Sequence, residues 1–284
     1  MLKTSRLYSF LDMKNGFALH FLDGQKLIHD LALIHSLAGQ GFAYFRDMVL
    51  SGLPMISFLK PGESLGLYID SEDPYFRLKI ETSFSGHTRT LLLPEDFNQF
   101  PMKLTGKARI AKQFPGGRPP YTSVVEFEDT LGKEVINQVL VTSYQANSEI
   151  FVSEAADQSF LLIKLPPINV DSQLKDETPT LQDYLKSHKV FFHDIFDEHY
   201  DDVEHVVKAF EKSELTYLSS RQVELFCPCS KERMVDNMRM IYAQDPESLF
   251  NGDTHLEAKC DYCKKLYAIS RDDMKSPFPG GPLN

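Results

Sequence analysis

Apolar and polar positions alternate in FALHFLDGQ (residues 17–25) and then change period. Leu27, Leu31 and Ile34 fall on one face of a helix in KLIHDLALIHSLAGQGF, with Gly39 and Gly41 near its end. Farther on, SLGLYID, YFRLKIETSF, TRTLLLP, KLTGKARIAKQF and TSVVEFEDT read as strands separated by Pro, Gly, Asp and Asn. LGKEVINQVLVTSYQAN is a helix candidate, and SFLLIKLPP reads as a buried strand closed by Pro166 and Pro167. This mixture predicts an α+β core over residues 1–169, built on one mostly antiparallel sheet.

The pattern breaks in PPINVDSQLKDETPTLQ, which is polar, proline-punctuated and without apolar period, so residues 170–220 are expected to form a linker. Inside it Phe192, Ile195, Phe196, Val203, Val206, Val207 and Phe210 recur at helical spacing between faces crowded with Asp194, Asp197, Glu198, Asp201 and Asp202. So acidic a face repels itself, and such a helix is marginal alone. Residues 221–284 should form a small third region. SKERMVDNMRMIYA reads as a helix with Met234, Met238 and Ile241 on one side. NGDTHLEAKC reads as a turn at Asn251-Gly252 running into a strand, with Leu256, Ala258 and Cys260 alternating, and LYAIS as its partner strand. No internal repeat or low-complexity tract appears.

With 42% hydrophobic residues the chain can bury a sizeable core. A net charge of −10 argues against nucleic acid as the main partner, because phosphate binding needs a clustered basic surface. No apolar run reaches the length of a membrane span, and MLKTSRLYSFLDMKNGFALHFLDG has no continuous apolar segment of a signal peptide. A cytoplasmic protein is expected.

All four cysteines fall between residues 227 and 263. In a reducing compartment, paired cysteines read as metal-binding or redox-active before they read as structural disulfides. Cys260-x-x-Cys263 has the usual knuckle spacing of a tetrahedral zinc site, and Cys227-Pro-Cys229 is one residue tighter. Zinc held by all four is the expected state. A segment of roughly 50 residues buries too little to be secure unaided. A structural zinc contributes about 10–16 kcal/mol of apparent binding energy, so loss of the metal should unfold the segment. Bound thiolates are also the form that oxidants attack, and an i,i+2 disulfide is strained and readily reduced again. A static zinc ribbon and a reversible thiol switch both fit the residues, and spacing alone favours the ribbon.

Other signals are weaker. His193, His199 and His205 among carboxylates read as a solvated acidic face before a second metal site. HTRT and Arg118 read as surface loops before an anion site, and the methionines as helix packing before oxidant sensing. FPGGRPP lacks the Lys-Ser/Thr of a nucleotide loop. No Ser-His-Asp or Cys-His arrangement indicates an enzyme.

FCPCSKERM followed by CDYCKKLYAIS resembles the heat shock protein 33 family of redox-regulated chaperones. The matching positions are Cys227, Cys229, Ser230, Glu232, Arg233, Cys260, Tyr262, Cys263 and Tyr267. PPYTSVVEFEDTLGKEVINQVLVTSYQANSEI, with Ser148-Glu149, and QSFLLIKLPP resemble the family's core domain. The chain is similar to a divergent member, reading HTRTLLLP and ADQSFLLIKLP where the family carries an Arg-Gly step and a Gly pair. The resemblance implies a zinc-bound, inactive reduced state. It implies that oxidation pairs Cys227 with Cys229 and Cys260 with Cys263, releases zinc and unfolds the C-terminal domain and linker. Exposed apolar surface then holds unfolding client proteins without ATP, often as a homodimer. The alternatives are a constitutive zinc-ribbon adaptor and a nucleic-acid-associated module. Against the latter, residues 227–275 carry eight Lys/Arg and nine Asp/Glu.

Overall fold

Alternation is cleanest in strands with one face in water. The computed structural model describes residues 2–166, 178–197, 203–242 and 246–275, apart from the side chains of 196, 197, 203, 246 and 247. Contacts divide the chain into a unit Met1–Leu225 and a unit Phe226–Asn284.

The first unit holds two sheets rather than the single one expected. The six-stranded sheet has the order β11-β5-β4-β3-β6-β7, with β3 Ser64–Asp73, β4 Tyr75–Ser83, β5 His87–Leu93, β6 Leu104–Gln113, β7 Tyr121–Thr130 and β11 Glu224–Leu225. Its neighbours are antiparallel except β11 on β5. In β4 only Phe76, Leu78, Ile80 and Thr82 are buried, a clean period of two. The five-stranded sheet has the order β10-β1-β2-β9-β8, with β1 Arg6–Asp12, β2 Phe17–Asp23, β8 Asn147–Val152, β9 Gln158–Lys164 and β10 Thr216–Gln222.

This second sheet is covered on both faces. Leu7, Leu22 and Leu161 join the inner cluster with Leu67, Ile69 and Ile80 of the other sheet. Helices α1 Gln25–His35, α2 Gly39–Gly52 and α3 Gly132–Tyr144 complete that cluster through Leu27, Phe45 and Ile136. The expected helix ending near Gly39 and Gly41 is two helices. Ser36 turns left-handed at φ 52°, and the glycines open α2, since a Cβ on Gly41 would lie 2.1 Å from the Phe97 carbonyl. TRTLLLP, read as a strand, is β5; HTRT, also weighed as a surface loop, lies at its start, where Arg89 pairs with Glu81 at 2.7 Å.

On the outer face Tyr8, Phe10, Phe17, Leu19, Phe21, Phe160 and Leu162 meet three short helices: α4 Leu181–Ser187, α5 Lys189–Asp197 and α6 Val203–Glu211. Phe10 stacks on Phe210 at 4.3 Å, Phe17 on Tyr184 at 4.0 Å and Phe160 on Phe192 at 4.6 Å. Ile195 and Val206 are buried with them, so the amphipathic pattern finds its partner in this sheet. Residues 198–202, including His199, lie outside the described residues, as does most of the polar stretch before α4.

Polar contacts fix the ends of this cover. The Tyr184 hydroxyl donates to the buried Asp12 carboxylate at 3.0 Å. Lys164 Nζ donates to the carbonyls of Asn15 at 3.2 Å and Pro179 at 3.1 Å. The segment expected to end as linker at 220 instead finishes in β10, an edge strand paired with β1. The chain then crosses to β11, where Glu224 N donates to the Gly86 carbonyl at 3.0 Å. Gly86 is at φ +85°, and a Cβ there would meet the Gln222 carbonyl at 1.9 Å. By contact, the described residues of 178–220 fold with the first unit.

Candidate metal centre

The second unit is built from α7 Lys231–Ile241, a short 3₁₀ turn Pro246–Phe250, β12 His255–Lys259, β13 Leu266–Ser270 and α8 Arg271–Lys275. Its core is Val235, Ala258, Cys260, Tyr267 and Ile269, with Met234 and Met238 against it. Ile241, expected on that same side, is 74% exposed because α7 ends there, beyond the reach of the two-stranded sheet. Asn251 and Gly252 both have positive φ, the turn the sequence indicated before β12. Polar ties replace missing apolar area. Asp273 accepts from Lys231 Nζ and from Ser270 N, both at 2.7 Å, and Arg239 donates to the Met274 carbonyl at 3.1 Å. The Lys231 ammonium and then the Ser270 donors hold the Asp273 carboxyl well below the usual range.

Each cysteine pair sits on a turn shaped by its neighbours. After Cys227-Pro228-Cys229, Ser230 caps α7 by accepting from Arg233 N at 3.3 Å. Arg233 Nη1 returns to the Pro228 carbonyl at 3.0 Å, between the two cysteines. The Ser-Lys-Glu-Arg that follows the first pair thus has a physical task, namely to start the helix and pin the turn. At the second pair, Lys264 N donates to the Cys260 carbonyl at 2.8 Å and Cys260 N to the Lys265 carbonyl at 2.9 Å. Lys264, at φ 60°, turns the chain back into β13.

These turns bring all four predicted residues together. The Sγ atoms of Cys227, Cys229, Cys260 and Cys263 lie within 4.8 Å of one another and could hold a metal ion. Cys227 and Cys260 are 3.8 Å apart, Cys229 and Cys263 3.3 Å. Cys260 is buried and the others are half-buried, and none is in a disulfide. Four soft sulfurs with no oxygen ligand suit a tetrahedral thiolate metal such as zinc. No other such group is found among the described residues; His193 and His205 are not gathered into one. Burial pushes the Cys229 thiol up, but hydrogen bonding to Tyr267 and then to the other three cysteines outweighs it, leaving the thiol at about 7. Burial raises the Cys263 thiol. The Tyr267 hydroxyl stands 3.1 Å from both the sulfur and the carbonyl oxygen of Cys229. The strand pattern of LYAIS places Tyr267 near the knuckle, yet nothing in the pattern signals that contact.

The family model described as "Hsp33 protein" matches residues 5–270. The chain belongs to the Hsp33 family. Among Hsp33 relatives, it is 26% identical over 165 residues to the 33 kDa chaperonin of Prochlorococcus marinus (strain AS9601). That alignment takes in 55% of either chain, so the chain spans about half the length of this curated relative. It is 24% identical over 247 residues to the 33 kDa chaperonin of Synechococcus elongatus, covering 81% of this chain and 82% of that one. The crystal structure of the 33 kDa chaperonin (heat shock protein 33 homolog) of Thermotoga maritima superposes with a TM-score of 0.69 at 13% identity, over 96% of this chain and 97% of that one. The Hsp33 fold, with its C-terminal cysteine cluster, is therefore the fold of this chain. No described helix is long and apolar enough to cross a membrane.

Proposed function

We propose that the chain is a redox-regulated, ATP-independent holdase for unfolding client proteins. In this reading Cys227, Cys229, Cys260 and Cys263 are zinc ligands when reduced and two disulfides when oxidised. One juxtaposition along the chain carries the reading. Four thiols converge in a unit with a very small core, and just upstream three short helices cover an aromatic sheet face.

When bound, zinc would join the two knuckles in one tetrahedral set and supply about 10–16 kcal/mol, more than the small apolar core can contribute. Oxidation pairs Cys227 with Cys229 and Cys260 with Cys263, which withdraws every thiolate from the metal. Forming each disulfide takes two electrons from a pair of cysteine thiolates, and one hydrogen peroxide accepts them, with two protons from solvent, in becoming two waters. Pairing within each knuckle leaves the two knuckles unlinked, so the second unit opens. The opening reaches β11 and then β10, an edge strand whose side chains are largely exposed, and beyond it α6. As α4, α5 and α6 of the linker 170–220 loosen from the core, Phe10, Phe17, Phe21 and Phe160 become a client surface. Residues 1–169 thereby serve as core and client domain, and 221–284 as the switch. The oxidised protein acts as a homodimer in the cytoplasm, a state carried over from the family resemblance. Its acidity disfavours nucleic acid, no membrane takes part, and no catalytic group is invoked.

A constitutive zinc clamp is the second reading. Two sulfur pairs that run between the knuckles, at 3.8 and 3.3 Å, make crossed disulfides possible as well, and those would staple the unit shut. Light scattering from a thermally unfolding client separates the two. Suppression of aggregation only after peroxide treatment, with peptide mapping that finds Cys227–Cys229 and Cys260–Cys263, supports the switch. Equal scattering in both states, or crossed pairs, supports the clamp.

A further inference from the structure

The Tyr267 ring is almost wholly buried in the small core, in β13 opposite Ala258. Its hydroxyl has one proton and two acceptors at equal distance, the sulfur and the carbonyl oxygen of Cys229, each at 3.1 Å. With thiols present, a relay satisfies everything: the Cys229 S–H donates to the phenol, and the phenol donates to the carbonyl. A metal-bound Cys229 has no proton to give, so its sulfur only accepts. A charge-assisted bond to the thiolate is then stronger than the neutral bond to the carbonyl.

We propose that Tyr267 is a positioning residue of the metal centre, donating its hydroxyl proton to the Cys229 thiolate and slowing that sulfur's reaction with oxidant. The proposal rests on the zinc and thiol-switch reading above. The reaction it restrains is attack of a thiolate on the peroxide O–O bond, which gives a sulfenic acid S–OH and hydroxide. A neighbouring thiolate then displaces a second hydroxide to close the disulfide. A donor on the sulfur ties up the electron pair that makes this attack. The same bond fixes the direction of the Cys229 side chain, as an outer partner of a metal ligand does. Lys265 Nζ lies 5.2 Å from the Tyr267 ring centre, close enough for the cation to polarise the phenol toward donation.

The test uses the full chain, reduced and loaded with cobalt(II) or zinc, as wild type and as Tyr267→Phe, which keeps the ring and removes only the donor. The expected results are a shift of the cobalt thiolate charge-transfer band to lower energy, about tenfold weaker metal affinity against a competing chelator, and several-fold faster metal release on peroxide addition. A second variant with a fluorinated tyrosine at 267, a stronger donor, should move band and rate the opposite way. An unchanged band and release rate in both variants overturns the role of Tyr267 while leaving the switch standing. A wild type that binds no cobalt, or keeps its metal under peroxide, overturns the switch reading and this role with it. Tetrahedral d–d bands retained in Tyr267→Phe show that the variant still folds around the metal.

Discussion

The first unit closes around two apolar clusters, one on each face of its five-stranded sheet, while the second closes around five buried residues, one of them a cysteine. The difference shows where each gets its stability. In the first unit, aromatic and aliphatic area suffices, since each fully buried Phe or Leu contributes about 1.5–3 kcal/mol. In the second, ion pairs, caps and four thiols stand in for a core, and exposed or half-exposed ion pairs give little. The unit that carries the four thiols is thus the one with the smaller apolar core.

The largest effect should come from the metal. Removing it from the reduced protein with a strong chelator should abolish an unfolding transition of the second unit, about 10–16 kcal/mol, and leave that of the first in place. Calorimetry on the full chain checks this; a single transition unmoved by chelation breaks the comparison.

Next, Phe210→Ala removes the ring stacked on Phe10 and should loosen α6 by about 3–5 kcal/mol. The reduced variant should then bind an apolar dye that the wild type excludes, with metal content unchanged.

Acid offers a third handle, through a buried histidine of the first unit. His20 faces Ser9 across β1 and β2, and burial, aided by the Arg221 charge, lowers its pKa from 6.5 to about 4. Between these values the unfolded chain binds a proton that the folded chain refuses. Stability is therefore full above pH 6.5 and falls as pH drops toward 4, by about 3 kcal/mol in all. Urea midpoints at successive pH values should show this slope, and His20→Gln should flatten it.

Two smaller changes sharpen the contrast. Tyr184→Phe withdraws a donor from buried Asp12 and should cost the helical cover about 1–2 kcal/mol. Ser230→Ala removes the cap of α7 and should cost the second unit about 1 kcal/mol. Thermal midpoints of the two transitions should move separately, each in its own variant.

Legibility followed solvent. β3 to β7 could be read because one face of their sheet is wet or polar, so the period of two survives. β1 and β8 were not, because side chains pack on both sides of their sheet and RLYSFLD carries no clean alternation. β10 was missed for the opposite reason: TYLSSRQ is an exposed edge strand without apolar period. That the four cysteines come together could be read, since ligand type and spacing are chemical requirements that no packing partner alters. The covered face behind Phe192 and Phe210 could be read only by half, because the helices advertise an apolar stripe but not which surface receives it.

The central claim is that thiol oxidation uncovers that face. Hydrogen exchange on the full chain, reduced and metal-loaded against peroxide-oxidised, tests it most directly. The account predicts that amides of α4 to α7, β12 and β13 lose protection on oxidation while β3, β4 and β6 keep theirs. Full protection of α4, α5 and α6 in protein whose four cysteines are oxidised would contradict it.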